Sequence, residues 1–69
     1  SLQEWAQGRG MAPPAYIEDA REGPDHQPIF TVRVTLDDGA NETARAGSKR
    51  QAEQMAARTL LARITKGQA

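Results

Sequence analysis

The tightest constraint on this chain is the stretch 30–36, where Phe30, Val32, Val34 and Leu36 alternate with Thr31, Arg33 and Thr35. A period of two puts the four apolar side chains on one face of an extended strand and the polar ones on the other. A strand with one wet face belongs to an antiparallel sheet covered on a single side. Asp37-Asp38-Gly39 follows directly and is turn chemistry, so the chain doubles back. Asn41–Ala46 is then the returning strand, with the small Ala44 and Ala46 facing inward. A lone hairpin is marginal in water, so the remaining elements must cover its apolar face.

Those elements can be read on either side of the hairpin. Leu2, Trp5 and Ala6 fall at i, i+3 and i+4, which predicts a short amphipathic helix ending near Gly8–Gly10. Pro13-Pro14 breaks regular structure and favours an extended exit. Ala15–Glu22 reads as a first strand, with Tyr16, Glu18 and Ala20 expected on one face, and Gly23-Pro24-Asp25-His26 as a loop. The last element is a long helix from Ser48 to about Ile64, roughly 25 Å at 1.5 Å per residue. Ser48 is a good N-cap and Gln51, three residues on, fits a capping box. Ala52, Ala56, Ala57, Leu60, Leu61 and Ile64 supply its apolar stripe. The expected fold is α+β, in the order α-β-β-β-α, with a three-stranded antiparallel sheet and two helices packed on one face. Sixty-nine residues make one domain, expected over residues 1–69. Twelve of the 26 apolar residues are alanine, so the core is thin and stability amounts to a few kcal/mol.

The sequence argues against several function classes. It holds no cysteine, hence neither a disulfide nor a thiolate metal site. No apolar run approaches the roughly 18 residues of a membrane span, and no secretory leader opens the sequence. One histidine and two serines lack the surroundings of a nucleophile elbow. Glu18 and Asp19 are neighbours on a strand, so they point apart and cannot share a metal. Asp37-Asp38 is turn chemistry, and Gly8-Arg9-Gly10 follows no strand and lacks the rest of a nucleotide-binding fingerprint. No catalytic residues and no metal ligands are expected in this chain.

The charge distribution is more informative than its zero sum. Residues 1–44 carry three arginines against eight carboxylates, a net −5, and residues 45–69 carry six cations against Glu53, a net +5. Such asymmetry points to a charged partner. Arg58, Arg63 and Lys66 fit an ordinary solvated face, since cations suit a helix C-terminus. Lys49 and Arg50 do not, because they occupy the first two helical positions, where the helix dipole is already positive and the N–H groups are unpaired. Each should cost roughly 0.3–1 kcal/mol at low salt, and a docked anion reverses that sign. His26, beside Asp25 and stiffened by Pro24, is either a plain surface histidine or a donor/acceptor ring on a loop suited to a groove. Gln3, Glu4 and Gln7 share one side of the first helix, which by itself reads as an ordinary solvated face; Glu4 would repel a phosphate, but a carboxylate can accept a hydrogen bond from a ribose 2′-OH.

With these residues in place, the chain resembles a double-stranded-RNA-binding domain along nearly its whole length. The matching runs are Pro14-Ala15-Tyr16, Gly23-Pro24-Asp25-His26, Phe30-Thr31-Val32 and Gly47-Ser48-Lys49-Arg50-Gln51-Ala52. Leu2-Gln3-Glu4-Trp5 and Ala52-Glu53-Gln54-Met55-Ala56-Ala57 look more like the C-terminal domain of bacterial ribonuclease III. The resemblance implies three RNA contact regions: Gln3, Glu4 and Gln7 in one minor groove, Pro24, Asp25 and His26 in the next, and Ser48, Lys49 and Arg50 on phosphates between them. It implies that Tyr16, Phe30 and Ala52 are core residues. It also implies a cytoplasmic parent that processes rRNA and mRNA, an endoribonuclease whose separate Mg-dependent catalytic domain forms a homodimer. Glu53 departs from the third basic residue common in the family, which weakens phosphate binding. Two rivals remain: a protein-interaction or dimerisation module of the same fold with weak or no RNA binding, and an enzyme in its own right.

Overall fold

The computed structural model describes residues 1–66, so the last three residues of the expected domain lie outside the described residues. The elements run α1 (Leu2–Gly8), β1 (Ala15–Glu22), β2 (Ile29–Thr35), β3 (Asn41–Ala46) and α2 (Lys49–Lys66). The sheet is antiparallel in the order β1-β2-β3, with Phe30 opposite Ala46 and Thr35 opposite Asn41. The expected α-β-β-β-α architecture is therefore the observed one.

The β2–β3 turn forms as its residues dictate. Leu36 N–H donates to the Ala40 carbonyl at 2.8 Å, Gly39 N–H to the Leu36 carbonyl at 2.9 Å, and Ala40 N–H to Asp38 Oδ1 at 3.0 Å. Gly39 has φ +93°, a conformation that L side chains rarely adopt.

Alternation along β2 then builds the core. Val32 and Val34 are fully buried and Leu36 nearly so, whereas Arg33 is exposed. From α2, Ala52, Ala56 and Leu60 are fully buried on the same side, and Ala57, Leu61 and Ile64 flank them. Alanine at 52 and 56 brings the helix backbone close to the strands, and α2 lies over β2 and β3. The short helix α1 packs against α2 and inserts Leu2 and Ala6 beside Val34, Leu36, Ala56 and Leu60. Its N-terminus carries a full capping box: Ser1 Oγ accepts from Glu4 N–H, and the Glu4 carboxylate returns to the Ser1 backbone.

β1 departs from expectation in one respect. Its pairing with β2 slips between Glu18 and Ala20, a β-bulge centred on Asp19. Tyr16 and Glu18 pair with Val34 and Val32 and share their inner face, but Ala20 pairs with Thr31 on the outer face, and Arg21 takes the inner position over the Phe30 ring at 5.3 Å. Ala20 therefore does not continue the face of Tyr16 and Glu18, because the extra residue inverts the phase of a period-two strand. Asp19 forms an ion pair at 2.8 Å with Arg33 on the outer face, so the two neighbouring carboxylates do diverge. Tyr16 is also 41% exposed, a boundary residue and not a core one: α2 covers β2 and β3 and leaves the inner side of β1 largely open.

Leu60 is the largest fully buried side chain. Leu60→Ala should cost about 2–5 kcal/mol. In a domain of this size that leaves much of the chain unfolded at 37 °C, as urea denaturation followed by circular dichroism will show.

Candidate nucleic-acid interface

The sheet register decides which candidate residues meet. Pairing of Phe30 with Ala46 puts the β1–β2 loop, which precedes β2, at the same end of the sheet as the start of α2, which follows β3. Gly23, Pro24, His26, Gln27, Pro28, Ile29 and Gly47 line one open hollow between them. The histidine loop and the cationic helix start are thus neighbours. The α1 candidates lie elsewhere: Gln3 and Gln7 line a separate hollow with Met11 and Pro13. Helix α1 is anchored at the Val34–Leu36 end of β2, and the seven residues of β2 span about 24 Å at 3.4 Å per residue.

At the start of α2, Gln51 N–H donates to Ser48 Oγ at 3.1 Å, so Ser48 caps the helix as its position foretold. Lys49 and Arg50 follow it, both exposed, with no acidic residue in the first turn. Neither makes an ion pair among the described residues. Other arginines are engaged: Arg33 with Asp19 at 2.8 Å, Arg45 with Glu22 at 3.6 Å, and Arg63 with Glu42 at 3.3 Å. Arg63 also donates to the Asn41 carbonyl at 3.0 Å, which ties the end of α2 to the start of β3. Arg9 stacks 4.4 Å above Trp5, an aromatic contact that the spacing of the first helix did not reveal. The cations of the helix start are left with their charge unanswered beside free N–H groups and the positive end of the dipole.

Pro24, Asp25 and His26 are exposed. The Gln27 N–H donates to the Pro24 carbonyl at 2.9 Å, which closes a turn with Asp25 and His26 at its tip. Gln3, Glu4 and Gln7 are exposed on α1, but the Glu4 carboxylate is shared with Ser1, accepting from its hydroxyl at 3.0 Å. Glu53, one turn beyond Lys49, sits close enough to Tyr16 to act on it. Partial burial pushes the Tyr16 hydroxyl above its ordinary pKa of 10.0, and the Glu53 carboxylate adds to the rise. Among the described residues no group of three or more His, Cys, Asp or Glu side chains could hold a metal ion. Among the described residues no helix is long and apolar enough to cross a membrane.

The family model described as "Double-stranded RNA binding motif" matches residues 1–64. The chain belongs to that family. Among curated relatives it is 64% identical over 64 residues to Ribonuclease 3 of Dinoroseobacter shibae and 66% identical over 64 residues to Ribonuclease 3 of a Jannaschia species. Each alignment takes in 93% of this chain but only 28% of the relative, so the chain spans little more than a quarter of their length. Among solved structures, the first dsRBD of protein HYL1 superposes with a TM-score of 0.73 at 30% identity, covering 99% of this chain and 94% of that one. The second dsRBD of DRB4 gives 0.68 at 35% identity, over 93% and 89%.

Two measurements test the local chemistry. Ser48→Ala should lower stability by about 1 kcal/mol, which for a domain this small is a fall in Tm of about 4–8 °C. Tyr16 is the one tyrosine of the chain, so phenolate absorbance reports it alone. Its titration midpoint should lie above 10.0 and move down in Glu53→Gln. Because the folded-state value is raised, the stability it confers is present below the ordinary tyrosine pKa and is lost as pH climbs through the folded one.

Proposed function

We propose that this chain binds double-stranded RNA and holds it for a ribonuclease III catalytic domain carried by another part of a longer protein. The observation that carries the reading is the pair of unpartnered cations, Lys49 and Arg50, on a capped but acid-free helix start. Ser48, Lys49 and Arg50 would meet phosphates, where free N–H groups, the dipole and both side chains favour the same anion. Pro24, Asp25 and His26 would enter a minor groove beside them. Gln3, Glu4 and Gln7 would reach 2′-OH groups in a neighbouring minor groove. Domains of this kind cover about 16 base pairs and read A-form shape more than sequence. Support comes from the family membership, from relatives named Ribonuclease 3, and from the separation of the α1 region and the loop along β2.

On this reading the whole chain, residues 1–69, is one RNA-binding domain and cleaves nothing itself. Mg belongs to the catalytic domain of the longer protein, which forms the homodimer and works in the cytoplasm on rRNA and mRNA precursors. Glu53 is an acid placed one turn from the phosphate-binding cations, and it sets a ceiling on affinity.

Three phosphate contacts give a log–log salt slope of about −2 to −3 for binding to an RNA duplex. Replacing both Lys49 and Arg50 by alanine should cost at least about 2 kcal/mol, read as roughly a thirtyfold weaker Kd in a gel-shift series. A double variant that binds like the parent chain overturns the reading. Glu53→Gln should strengthen binding a few-fold with the salt slope little changed, measured in the same series. A DNA duplex of the same sequence should bind much more weakly.

A further inference from the structure

We propose that Gly23 is the positioning residue of the interface: it closes the β1–β2 loop on itself and so fixes His26 relative to the helix start before any RNA arrives. The inference rests on the RNA-binding reading and goes beyond it by locating what holds the loop in place.

The loop must hold its own shape, because the rest of the molecule gives it little. Residues 23–27 are all exposed. The hollow that separates the loop from the start of α2 is open, and a Cβ built on Gly47 would meet no atom within 4 Å. No side-chain hydrogen bond or ion pair ties Pro24, Asp25, His26 or Gln27 to another element among the described residues. What remains is internal. Gly23 has φ +84°, where L side chains are strained. A Cβ there would stand 2.7 Å from the Gln27 carbonyl oxygen, closer than real Cβ contacts come. The same short segment is closed by the Gln27 N–H to Pro24 carbonyl bond at 2.9 Å. Pro24 and Pro28 fix two further backbone angles.

Gly23 therefore meets two independent demands at one position: a left-handed backbone, and room for a carbonyl to approach it. Any L side chain forces the Gln27 carbonyl to retreat, and the turn that carries His26 moves with it. With the loop already closed, binding incurs little ordering cost, and that cost otherwise subtracts directly from affinity.

The test is a double-mutant cycle on the 69-residue chain, with an RNA duplex long enough to cover the interface and affinity read by fluorescence anisotropy. Gly23→Ala should weaken binding about tenfold, similar to His26→Ala, with the salt slope unchanged because the phosphate cations are untouched. In the His26→Ala background Gly23→Ala should cost clearly less than tenfold, since the His26 contact is already gone and only Pro24 and Asp25 are left to be displaced. Gly23→D-Ala, made by chemical synthesis, accepts a positive φ and moves the methyl group off the Gln27 carbonyl, so it should restore most of the affinity. Amide spectra should confine the shifts of Gly23→Ala to about residues 22–29. The inference is overturned if Gly23→Ala binds like the parent chain, if its loss is undiminished without His26, or if Gly23→D-Ala fails to rescue. Wild-type binding by the Lys49→Ala/Arg50→Ala chain sinks the RNA reading itself, whereas loss there with no effect at Gly23 sinks only the loop inference.

Discussion

The molecule depends on how closely α2 lies over β2 and β3. Val32 and Val34 offer a flat apolar strip, and Ala52 and Ala56 let the helix backbone come down onto it, with Leu60 filling the space beyond. Larger residues at 52 or 56 would lift the helix and open voids that this thin core could not absorb. The same approach determines where the helix begins. Once β3 ends at Ala46, Gly47 and Ser48 are the entire connection to Lys49, so the two cations are delivered to the end of the sheet where the β1–β2 loop emerges. Packing in the core and placement of charge at the surface are one geometric fact.

Much of this fold could be read from the residues because its signals are local. The β2 alternation, the Asp37-Asp38-Gly39 turn and the α2 stripe each concern residues a few positions apart, and each appears where its periodicity placed it. The bulge at Asp19 was not legible. Nothing in Ala15–Glu22 breaks the pattern from within; the slip shows only in the pairing with β2, where Asp19 meets Arg33, a contact between residues far apart in sequence. The exposure of Tyr16 was hidden for a similar reason, since a strand's composition does not say that the covering helix sits over the other two. The Ser1–Glu4 capping box, by contrast, is a purely local signal, a serine followed three residues later by a glutamate.

The candidate interface divides in the same way. Lys49 and Arg50 stand out in the bare sequence because a cation at a helix start opposes a simple electrostatic rule. That His26 shares a hollow with Gly47 follows from the sheet register, which no single segment encodes. The close approach at Gly23 is a three-dimensional fact of the same kind. A glycine before a proline announces a turn, but only the fold shows the Gln27 carbonyl pressed against it.

The β2–β3 turn has an electrical consequence. Asp37 and Asp38 sit at one end of β3 and Lys49 and Arg50 follow the other, and the six residues between span about 20 Å at 3.4 Å each. Neither end is a pure pole: Asp25 and Glu53 stand near Lys49 and Arg50, and Arg63 brings the end of α2, with Lys66, back to the Asn41 end of β3. A body with no net charge is hardly drawn by a distant polyanion, and charges of both signs at each end leave it little torque in a far field. The domain would meet a nucleic-acid backbone by short-range contact, within a screening length of about 8–10 Å, without the indiscriminate stickiness of a protein that is positive all over.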